Sequence, residues 1–459
     1  MKNKQLATPQ HYMYQGFARF ARWLTNGQNL VDKKYERKKA VDVIYLKELR
    51  KKMRLNQTNF AKSVGVSRQV ISQYELGKKP FSLETYRKFK QSFGFEECES
   101  GRLRFMIDYL RITFMSVRDL EHFTKTFLLI PFKEFHSYET KLMMYNHLWK
   151  RGDIWIFDYH DKFETGNYQI TIQLSGSGCR QLEVMLEHYE WTWQNLLVNM
   201  RLAYGTDMKV TRLDIAIDEV YQGVGNEKEQ FQLQDMISKY YKQELYFEKM
   251  KKFNFIGGGS LIYTQEKYEE ERQGISLYFG SRQSEMYFNF YEKRYELAKE
   301  ERISVEEALE IFDVWNRYEI RLAHKKADSV VDEYINGIDL AEIGRGLINS
   351  RVTVYDGTNA FGAYLADSKW QRLFGGTEPL TLSTSPEPYD IRKTINWLRY
   401  QVSNSLAMVK EFDKIVGEDN LAYILNSGEV TEEAEKILLA IQTDVELRKG
   451  DYVNYDECV

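Results

Sequence analysis

The segment RLDIAIDE, residues 212–219, carries two aspartates inside a stretch of strand-forming residues. Side chains alternate between the two faces of a strand, so Asp214 and Asp218 would share one face, with the small Ala216 between them. Two carboxylates held side by side repel one another and favour a shared proton or a bound cation. Because ligation by oxygen alone suits Mg²⁺ or Mn²⁺, the segment predicts a divalent metal site on the polar face of a strand.

The segment RYEIRL adds a third carboxylate. The same alternation places Glu319 on the polar face of its strand, between Arg317 and Arg321. The planar guanidinium groups are suited to hold phosphate oxygens in a bidentate manner. A structural salt bridge is the ordinary explanation of such a pattern, and that alternative stays open for each of these residues.

Tyrosines occupy corresponding positions in two further segments. In GISLYFGSR the alternation directs Tyr278 to the polar face, four residues before Arg282, and in MYFNFYEK it does the same for Tyr291, two residues before Lys293. A tyrosine hydroxyl, with a solution pKa of about 10, becomes a nucleophile when a base or a nearby cation favours the phenolate. The chain has 32 tyrosines, so any single one is more often a packing residue; the pattern matters because several segments share it.

These side chains can meet only on a common sheet. A period of two residues predicts strands in RFMIDYLRITF, YQITIQLSGSGCR, KVTRLDIAIDEV, GISLYFGSR, MYFNFYEKR and NRYEIRLAHKK. Between them, CRQLEVMLEHYEWTWQNLLVNMRLAYG and SVEEALEIFDVWNRYE show helical periodicity. We therefore predict an α+β fold, in which a small all-α domain precedes a sheet-based domain and the chain beyond about residue 350 is mainly helical.

The all-α segment has the pattern of a helix-turn-helix. In SVGVSRQ, Gly65 is expected to take the left-handed position of the turn, Val66 to pack beneath it, and Ser67 to cap the next helix. The residues predicted to read DNA from that helix are Ser67, Arg68, Gln69, Ser72 and Gln73. A helical bundle used for protein contact is the alternative.

The charge distribution supports a polyanionic partner for this part of the chain. Residues 1–94 contain 21 Lys and Arg against 6 Asp and Glu, a formal charge of +15, so residues 95–459 carry −18. The three cysteines are far apart and form no CxxC pair, which is typical of a protein from a reducing compartment. We find no signal-like or membrane-spanning apolar run and expect a cytoplasmic protein without membrane insertion.

The order of these motifs resembles a known family. SGSGCR, RLDIAID, LYFGSRQS followed by FYEK, and RYEIRLAHKKA resemble successive motifs of the Rep_trans superfamily of rolling-circle initiators, over about residues 45–410. With the Cro/repressor-type helix-turn-helix in front, the chain resembles the MobT-type relaxases of integrative and conjugative elements. That resemblance implies a nicking-closing enzyme in which a tyrosine attacks one DNA strand and retains a 5′-phosphotyrosine.

The resemblance also implies roles for the polar residues. Tyr278 is the first choice for the nucleophile and Tyr291 the second, with Mg²⁺ or Mn²⁺ held by Asp214, Asp218 and Glu319. The cations implied to contact DNA or its phosphates are Arg180, Arg212, Arg282, Lys293, Arg317 and Arg321. No histidine-hydrophobic-histidine pair is present, so the metal site would be built from carboxylates. SGSGCR is not followed by GK[ST], and we therefore expect no ATP hydrolysis.

The predicted domains are a basic extension (1–40), a helix-turn-helix domain (41–98), a catalytic domain (99–350) and a mainly helical C-terminal part (351–459) that completes the catalytic domain or forms an oligomer contact. The implied partners are origin DNA in duplex and single-stranded form, a type IV coupling protein and a helicase. Two alternatives remain: an initiator of plasmid or phage rolling-circle replication, and a transcriptional repressor without nicking activity. The repressor would leave the polar strand faces without a role.

Overall fold

The structure is a computed structural model. It describes residues 46–79, 83–99, 103–221, 230–257, 259–263, 268–272, 274–312, 314–377, 379–380, 382, 398, 402–428 and 430. The predicted basic extension, 1–40, lies outside these residues, as does the helical pattern at 431–450. The chain divides into two compact units, the first made of 1–137, 149–157 and 161–384, and the second of 138–148, 158–160 and 385–459.

The helix-turn-helix is confirmed in the first unit. Its helices are α1 (46–52), α2 (Gln57–Ser63), α3 (Arg68–Glu75) and α4 (Leu83–Gln91). Gly65 adopts a φ of +72° in the turn, and Ser67 accepts a hydrogen bond from the backbone N–H of Val70, so the predicted turn and cap are present. Arg50 of α1 pairs with Glu75 of α3 at 2.5 Å, which joins the first helix to the last turn of the third.

Antiparallel strands make up the centre of the first unit. Their bounds are β1 (Leu103–Phe114), β2 (His136–Glu139), β3 (His147–Arg151), β4 (Ile154–Asp158), β5 (Ile170–Leu174), β6 (Met208–Tyr221), β7 (Leu245–Phe247), β8 (Phe253–Ile256), β9 (Gly259–Tyr263), β10 (Tyr268–Arg272), β11 (Ser276–Phe279), β12 (Met286–Glu292), β13 (Val314–Ala323), β14 (Val352–Thr358) and β15 (Tyr364–Ala366). Within the described part of this unit, the main sheet has the order β4-β5-β1-β6-β13-β12-β11-β8. All six predicted strands are present in it.

Helices connect these strands and cover one face of the sheet. They are α5 (Leu120–Phe123), α6 (Lys162–Thr165), α7 (Gly176–His188), α8 (Trp193–Tyr204), α9 (Leu233–Tyr241), α10 (Lys293–Glu301), α11 (Val305–Ile311), α12 (His324–Ile335), α13 (Leu340–Asn349) and α14 (Ser368–Phe374). Apolar residues of β6, β12 and β13 form one core with α8, α12 and α13. Because that face is filled, the opposite face of the same strands is left for polar side chains. The fold is α+β, as predicted.

A β-bulge interrupts β1 opposite β6. The register moves from Ile107 opposite Ile215 to Tyr109 opposite Asp214, which leaves Asp108 without a partner residue in the ladder. A bulge changes the side to which the following residues point, so the next buried side chain after Ile107 is that of Leu110, three residues later instead of two. The bulge brings both Asp108 and Tyr109 close to the polar face of β6.

The region after residue 350 differs from the prediction in its first part. Residues 352–366 contain the strands β14 and β15, which pair with each other, and β14 also pairs with β7. In the second unit, α15 (Ser403–Val416) agrees with the helical periodicity of residues 390–412, and α16 (Asn420–Asn426) is a further helix in the part that was predicted to be mainly helical. The helices that the structure describes include none with the length and apolar character needed to span a membrane.

Candidate active site

The polar face of four neighbouring strands collects most of the predicted site residues. Three rows cross β6, β13, β12 and in one case β11: Asp214–Arg321–Tyr287, Ala216–Glu319–Asn289–Tyr278, and Asp218–Arg317–Tyr291. Neighbouring strands lie roughly 4.8 Å apart, so adjacent members of a row are close in space although they are distant in the sequence. The alternation in the sequence therefore predicted this common surface correctly.

Asp214 is buried and lies between two arginines. Arg212 donates from Nε to Oδ1 at 2.9 Å and from Nη2 to Oδ2 at 2.5 Å, while Nε of Arg321 lies 3.6 Å from Oδ2. The guanidinium of Arg212 also stacks over the ring of Tyr109, at 3.8 Å, and Arg111 donates to the hydroxyl of that tyrosine at 2.6 Å. This corner of the face thus holds two arginines at one carboxylate, with Arg111 joined to them through Tyr109.

Asp218 is engaged in a second, more buried pair. Arg317 donates from Nε and Nη2 to its two oxygens, at 2.6 and 2.8 Å, and both side chains are almost fully buried. Nη1 of Arg317 lies 3.5 Å from Asp108, the bulge residue. A bidentate pair of this kind fixes both groups, because removal of either one leaves a buried charge without its partner.

Glu319 lies in the middle row and has a different environment from the two aspartates. It accepts a hydrogen bond from the hydroxyl of Tyr291 at 2.8 Å. Burial, together with the charges of Asp108 and Asp214, raises the pKa of Glu319 from an ordinary 4.5 to about 6, although the hydrogen bond of Tyr291 opposes the shift. Burial and the charge of Glu319 in turn raise the pKa of Tyr291 far above 10. These contacts disfavour a Tyr291 phenolate.

Tyr278 lies at the end of the same row, on the strand furthest from the two aspartates. It is half-buried on β11, opposite Asn289, and its ring lies 6.3 Å from that of Tyr287 in a nearly parallel arrangement. The guanidinium of Arg282, which is exposed, lies 5.8 Å from the centre of the Tyr278 ring. Hydrogen bonding to Tyr287 and the neighbouring Tyr278 raises the pKa of Arg282 further. A cation therefore lies beside this tyrosine.

Two predicted cations have positions that the alternation did not indicate. Lys293 is the first residue of α10, where its Nζ pairs with Glu296 at 2.6 Å and lies 3.7 Å from Glu300. Arg180 of α7 lies beside β1, where it donates to the carbonyl of Ile107 and to the sulfur of Met106. Met106 is opposite Ala216, so Arg180 reaches the edge of the polar face, whereas Lys293 is held by its own helix.

The glycines of SGSGCR allow α7 to lie close to β1 and to the turn before β4. A Cβ at Gly178 would stand 2.3 Å from the carbonyl oxygen of Asp153, and one at Gly176 would stand 3.4 Å from a carboxylate oxygen of Asp108. The motif therefore serves close packing beside the polar face.

The predicted DNA-reading residues lie together on α3. Ser67, Arg68 and Gln69 are exposed, and Ser72 and Gln73 are half-buried one turn later. Ile71 is the buried residue of the helix and faces the core of the domain. The N-terminal end of α3 is therefore accessible to a groove of DNA.

The donor chemistry of the polar face fits a divalent cation. Asp108, Asp214 and Glu319 are close enough for the charges of the first two to raise the pKa of the third, and a cation would relieve that repulsion. Asp214 and Asp218 are paired with arginines instead. Among the residues that the structure describes, no three His, Cys, Asp or Glu side chains are already grouped as metal ligands.

Sequence reasoning missed Asp108, Tyr109 and Arg111. Their strand was predicted, but not the bulge that brings the first two to the polar face. A signal was present, because the apolar alternation of β1 runs through Phe105 and Ile107 and then continues out of phase from Leu110. A break in phase within a strand is typical of a bulge, and bulges often lie beside active sites.

Three family models match the chain in succession. A helix-turn-helix model matches residues 46–97, a model of the rolling circle replication initiation protein N-terminal domain matches 104–199, and the Rep_trans model, described as a replication initiation factor, matches 208–425. The last of these contains all the strands of the polar face except β1.

Similar proteins include a curated sequence and a solved structure. The curated protein "Putative DNA relaxase NicK" of Bacillus subtilis (strain 168) is 28% identical over 360 residues, which is 76% of this chain and 93% of that protein. A solved structure, that of the rolling circle replication initiator protein from Geobacillus stearothermophilus, is 23% identical with a TM-score of 0.45, and the match covers 60% of this chain and 99% of that one. The three domain matches and the curated relative together support a Rep_trans-type protein with a helix-turn-helix domain on its N-terminal side.

Proposed function

We propose that the chain is a DNA relaxase that nicks one strand at an origin and keeps the 5′ phosphate on Tyr278. The observation that carries the proposal is the middle row of the polar face. It places a half-buried tyrosine beside Arg282 and in register with Glu319, and the rows on either side hold two arginine–aspartate pairs. The domain matches and the relaxase relative support the same reaction class.

The proposed step is a transesterification. The hydroxyl oxygen of Tyr278 forms a bond to phosphorus while the bond from phosphorus to the 3′ oxygen breaks. The tyrosine loses its proton and the leaving 3′ oxygen gains one, so that the strand ends in a free 3′ hydroxyl. Closing is the reverse reaction, which needs no other energy source because the phosphotyrosine conserves the energy of the phosphodiester.

The side chains of the face have separate parts in this reaction. Arg282, whose guanidinium lies 5.8 Å from the centre of the Tyr278 ring, would neutralise charge on the phosphate once the strand is bound. Arg212 and Arg321, the two arginines at Asp214, would contact the phosphate from beside the middle row. Tyr291 holds Glu319 in place and is not the nucleophile, because its phenolate is disfavoured.

We also propose that activity depends on Mg²⁺ or Mn²⁺ held by Asp214, Asp218 and Glu319. When bound, the cation would polarise the scissile phosphate as a Lewis acid. The pairing of both aspartates with arginine means that cation and arginine compete for the same oxygens, so weak binding is expected without DNA.

The proposed setting is the initiation of conjugative transfer from an integrative element in the cytoplasm. Origin DNA is then the substrate, read as duplex by α3 and as a single strand by the polar face. A coupling protein of a type IV system and a helicase would act after the nick, and a second copy of the chain would be an additional partner. Rolling-circle replication of a plasmid or phage uses the same reaction. It is the second candidate, because the family model that matches residues 208–425 is described as a replication initiation factor.

A covalent adduct tests the reaction directly. Full-length protein is incubated with Mn²⁺ or Mg²⁺ and labelled single-stranded oligonucleotides that tile the DNA around its own gene. A labelled protein band on a denaturing gel is expected with one oligonucleotide, and it should be absent with EDTA. If no oligonucleotide gives an adduct while duplex DNA binds tightly, the repressor alternative replaces the relaxase.

Matched variants identify the nucleophile in the same gel. Tyr278→Phe should lose the adduct, whereas Tyr291→Phe, which removes the same atom from the other candidate, should keep it. An adduct that persists in Tyr278→Phe and disappears in Tyr291→Phe would reverse the assignment. Far-ultraviolet circular dichroism of both variants shows whether each one is folded.

A further inference from the structure

The helix-turn-helix domain does not close its own core. The buried cluster formed by α1 to α4 includes Tyr355 of β14 and Ala363, which precedes β15, and both are 0% exposed. These residues come from the β14–β15 pair, some 260 residues further along the chain than α4. The pair therefore supplies part of the interior of the DNA-reading domain.

Hydrogen bonds fix Tyr355 from both sides. Its hydroxyl donates to the carbonyl oxygen of Lys52, at the end of α1, at 2.8 Å. Its backbone N–H donates to the carbonyl of Glu244, which precedes β7, also at 2.8 Å. One residue thus bonds to the DNA-reading domain through its side chain and to the body through its backbone.

Further contacts surround this insertion. Arg54 donates to the hydroxyl of Tyr364 at 3.1 Å and stacks on its ring at 4.5 Å. The backbone N–H of Ala366 donates to the carbonyl of Phe93 at 2.8 Å, and the ammonium of Lys52 donates to the carbonyl of Asn349 at 2.8 Å. These contacts include backbone–backbone and side chain–backbone hydrogen bonds. The helix-turn-helix domain cannot slide along the β14–β15 pair without breaking one of them.

We propose that the helix-turn-helix and the catalytic sheet read DNA as one rigid body, so that the duplex site and the nick position must have a fixed separation and a fixed rotational setting. This inference rests on the proposed relaxase function. A domain tethered by a flexible segment would tolerate changes in spacing, because the loss of effective concentration with distance is gradual. A domain whose core is completed by the body cannot swing away without opening that core.

A spacing series with the wild-type chain tests the proposal. The probe is a supercoiled plasmid that carries the DNA around the chain's own gene, with the duplex site mapped by DNase I footprinting and the nick by primer extension. Five base pairs are then inserted between the two, which adds roughly 17 Å and about half a helical turn. Nicking is expected to fall at least tenfold, and an unchanged rate would overturn the proposal.

Two controls separate this proposal from the proposed function. A single-stranded oligonucleotide that contains only the nick position should form the adduct in every case, and its failure would count against the relaxase itself. An insertion of ten base pairs restores the rotational setting while it adds roughly 34 Å. Nicking of that plasmid should stay as low as with five base pairs, because a rigid body cannot span the added distance. Recovery with ten base pairs, or equal nicking of all three plasmids, would contradict a fixed separation.

Hydrogen exchange tests the shared core without DNA. Tyr355→Ala should lower the protection of amides in α1 to α4 at least tenfold while amides of β6 and β13 stay protected, which shows that the body is folded. Phe361→Ala is the matched control, because this aromatic side chain lies in the same β14–β15 connection and is 51% exposed. Unchanged protection of α1 to α4 in Tyr355→Ala would mean that the domain has a complete core of its own.

Discussion

The two proposed DNA-contacting surfaces of the molecule differ in how they hold their polar side chains. On α3, Ser67, Arg68 and Gln69 are exposed at the start of a short helix. On the sheet, Asp214 and Asp218 are 6% and 4% exposed and are held by bidentate arginines. One surface leaves its polar groups in water, whereas the other removes them from water and pairs them.

This difference follows from what each surface has to do. A reading helix gains specificity from groups that can exchange water for base edges, so exposure before binding costs little. A reacting surface gains from groups that are already oriented, because reorganisation then adds nothing to the barrier. Substitutions on α3 should therefore change DNA binding with little effect on folding, and substitutions on the sheet should change both.

The largest expected effect is on the reaction. Tyr278→Phe removes the nucleophile without a change of shape, so nicking of an origin plasmid should fall by a factor of at least about 10³. Tyr278 is only half-buried, and the denaturation midpoint should stay close to that of the wild type. The rate is measured by conversion of supercoiled to open-circular plasmid; a variant that retains more than a tenth of the rate would exclude Tyr278 as the nucleophile.

The next effect is on stability. Asp218→Asn replaces the bidentate carboxylate on buried Arg317 with a neutral amide and leaves only Asp108, 3.5 Å away, as a charged partner, so the free energy of unfolding should fall by about 3 kcal/mol. Urea denaturation followed by tryptophan fluorescence measures the change. Glu134→Gln is the matched comparison, because Glu134 pairs with Arg151 at 2.9 Å on the surface and should cost less than about 1 kcal/mol. Equal costs for the two substitutions would show that burial of the Asp218 pair has no energetic consequence.

The fold could be predicted where local patterns determine it. Alternation indicated the six strands that surround the site, and the turn chemistry at Gly65 and Ser67 indicated the helix-turn-helix. The β14–β15 pair was not predicted, because VTVYDGT is short and the residues that it packs against lie in α1 to α4. Contacts so distant in sequence leave no periodic signal in either segment.

The site could be predicted as a surface but not as a set of contacts. Alternation placed Asp214, Asp218 and Glu319 on one face, since face depends only on position in a strand. It could not show that each aspartate has a bidentate arginine, because strand register depends on which strands are neighbours. Lys293 was assigned to the same face by counting, but the strand ends at Glu292 and the lysine belongs to the next helix.

A smaller effect is expected on the reading surface. Arg68→Ala should weaken binding of the footprinted duplex by up to about 3 kcal/mol and leave both the unfolding midpoint and the single-strand adduct unchanged. Arg68→Lys keeps the charge and loses the fork of donors, which separates base reading from phosphate attraction. Fluorescence anisotropy measures the affinity of both variants for the specific duplex and for a scrambled one. Equal affinity of Arg68→Lys for the two duplexes would identify Arg68 as a base reader. Discrimination like that of the wild type in both variants would contradict the assignment of α3.

The smallest effect is a dependence of stability on pH that comes from Glu319. Its pKa is raised from 4.5 to about 6 in the folded chain, so the fold favours the protonated form. The stabilisation of the folded chain by protonated Glu319 is therefore complete below pH 4.5, and it is lost as the pH rises through 6. Between pH 4 and pH 7.5 the free energy of unfolding of the wild type should fall by about 2 kcal/mol more than that of Glu319→Gln, which cannot ionise.

Urea denaturation of both proteins in EDTA, across pH 4–7.5, measures that difference, and all other titrating groups cancel in it. Tyr291→Phe sharpens the comparison, since its hydroxyl stabilises the carboxylate and lowers the pKa of Glu319. Without that hydroxyl the pKa of Glu319 should be higher, so the loss of stability should occur at higher pH. Mn²⁺ in place of EDTA should reduce the loss in the wild type and not in Glu319→Gln, because a cation favours the carboxylate. A difference between wild type and Glu319→Gln that does not vary with pH would place Glu319 in an environment like that of α3, open to water.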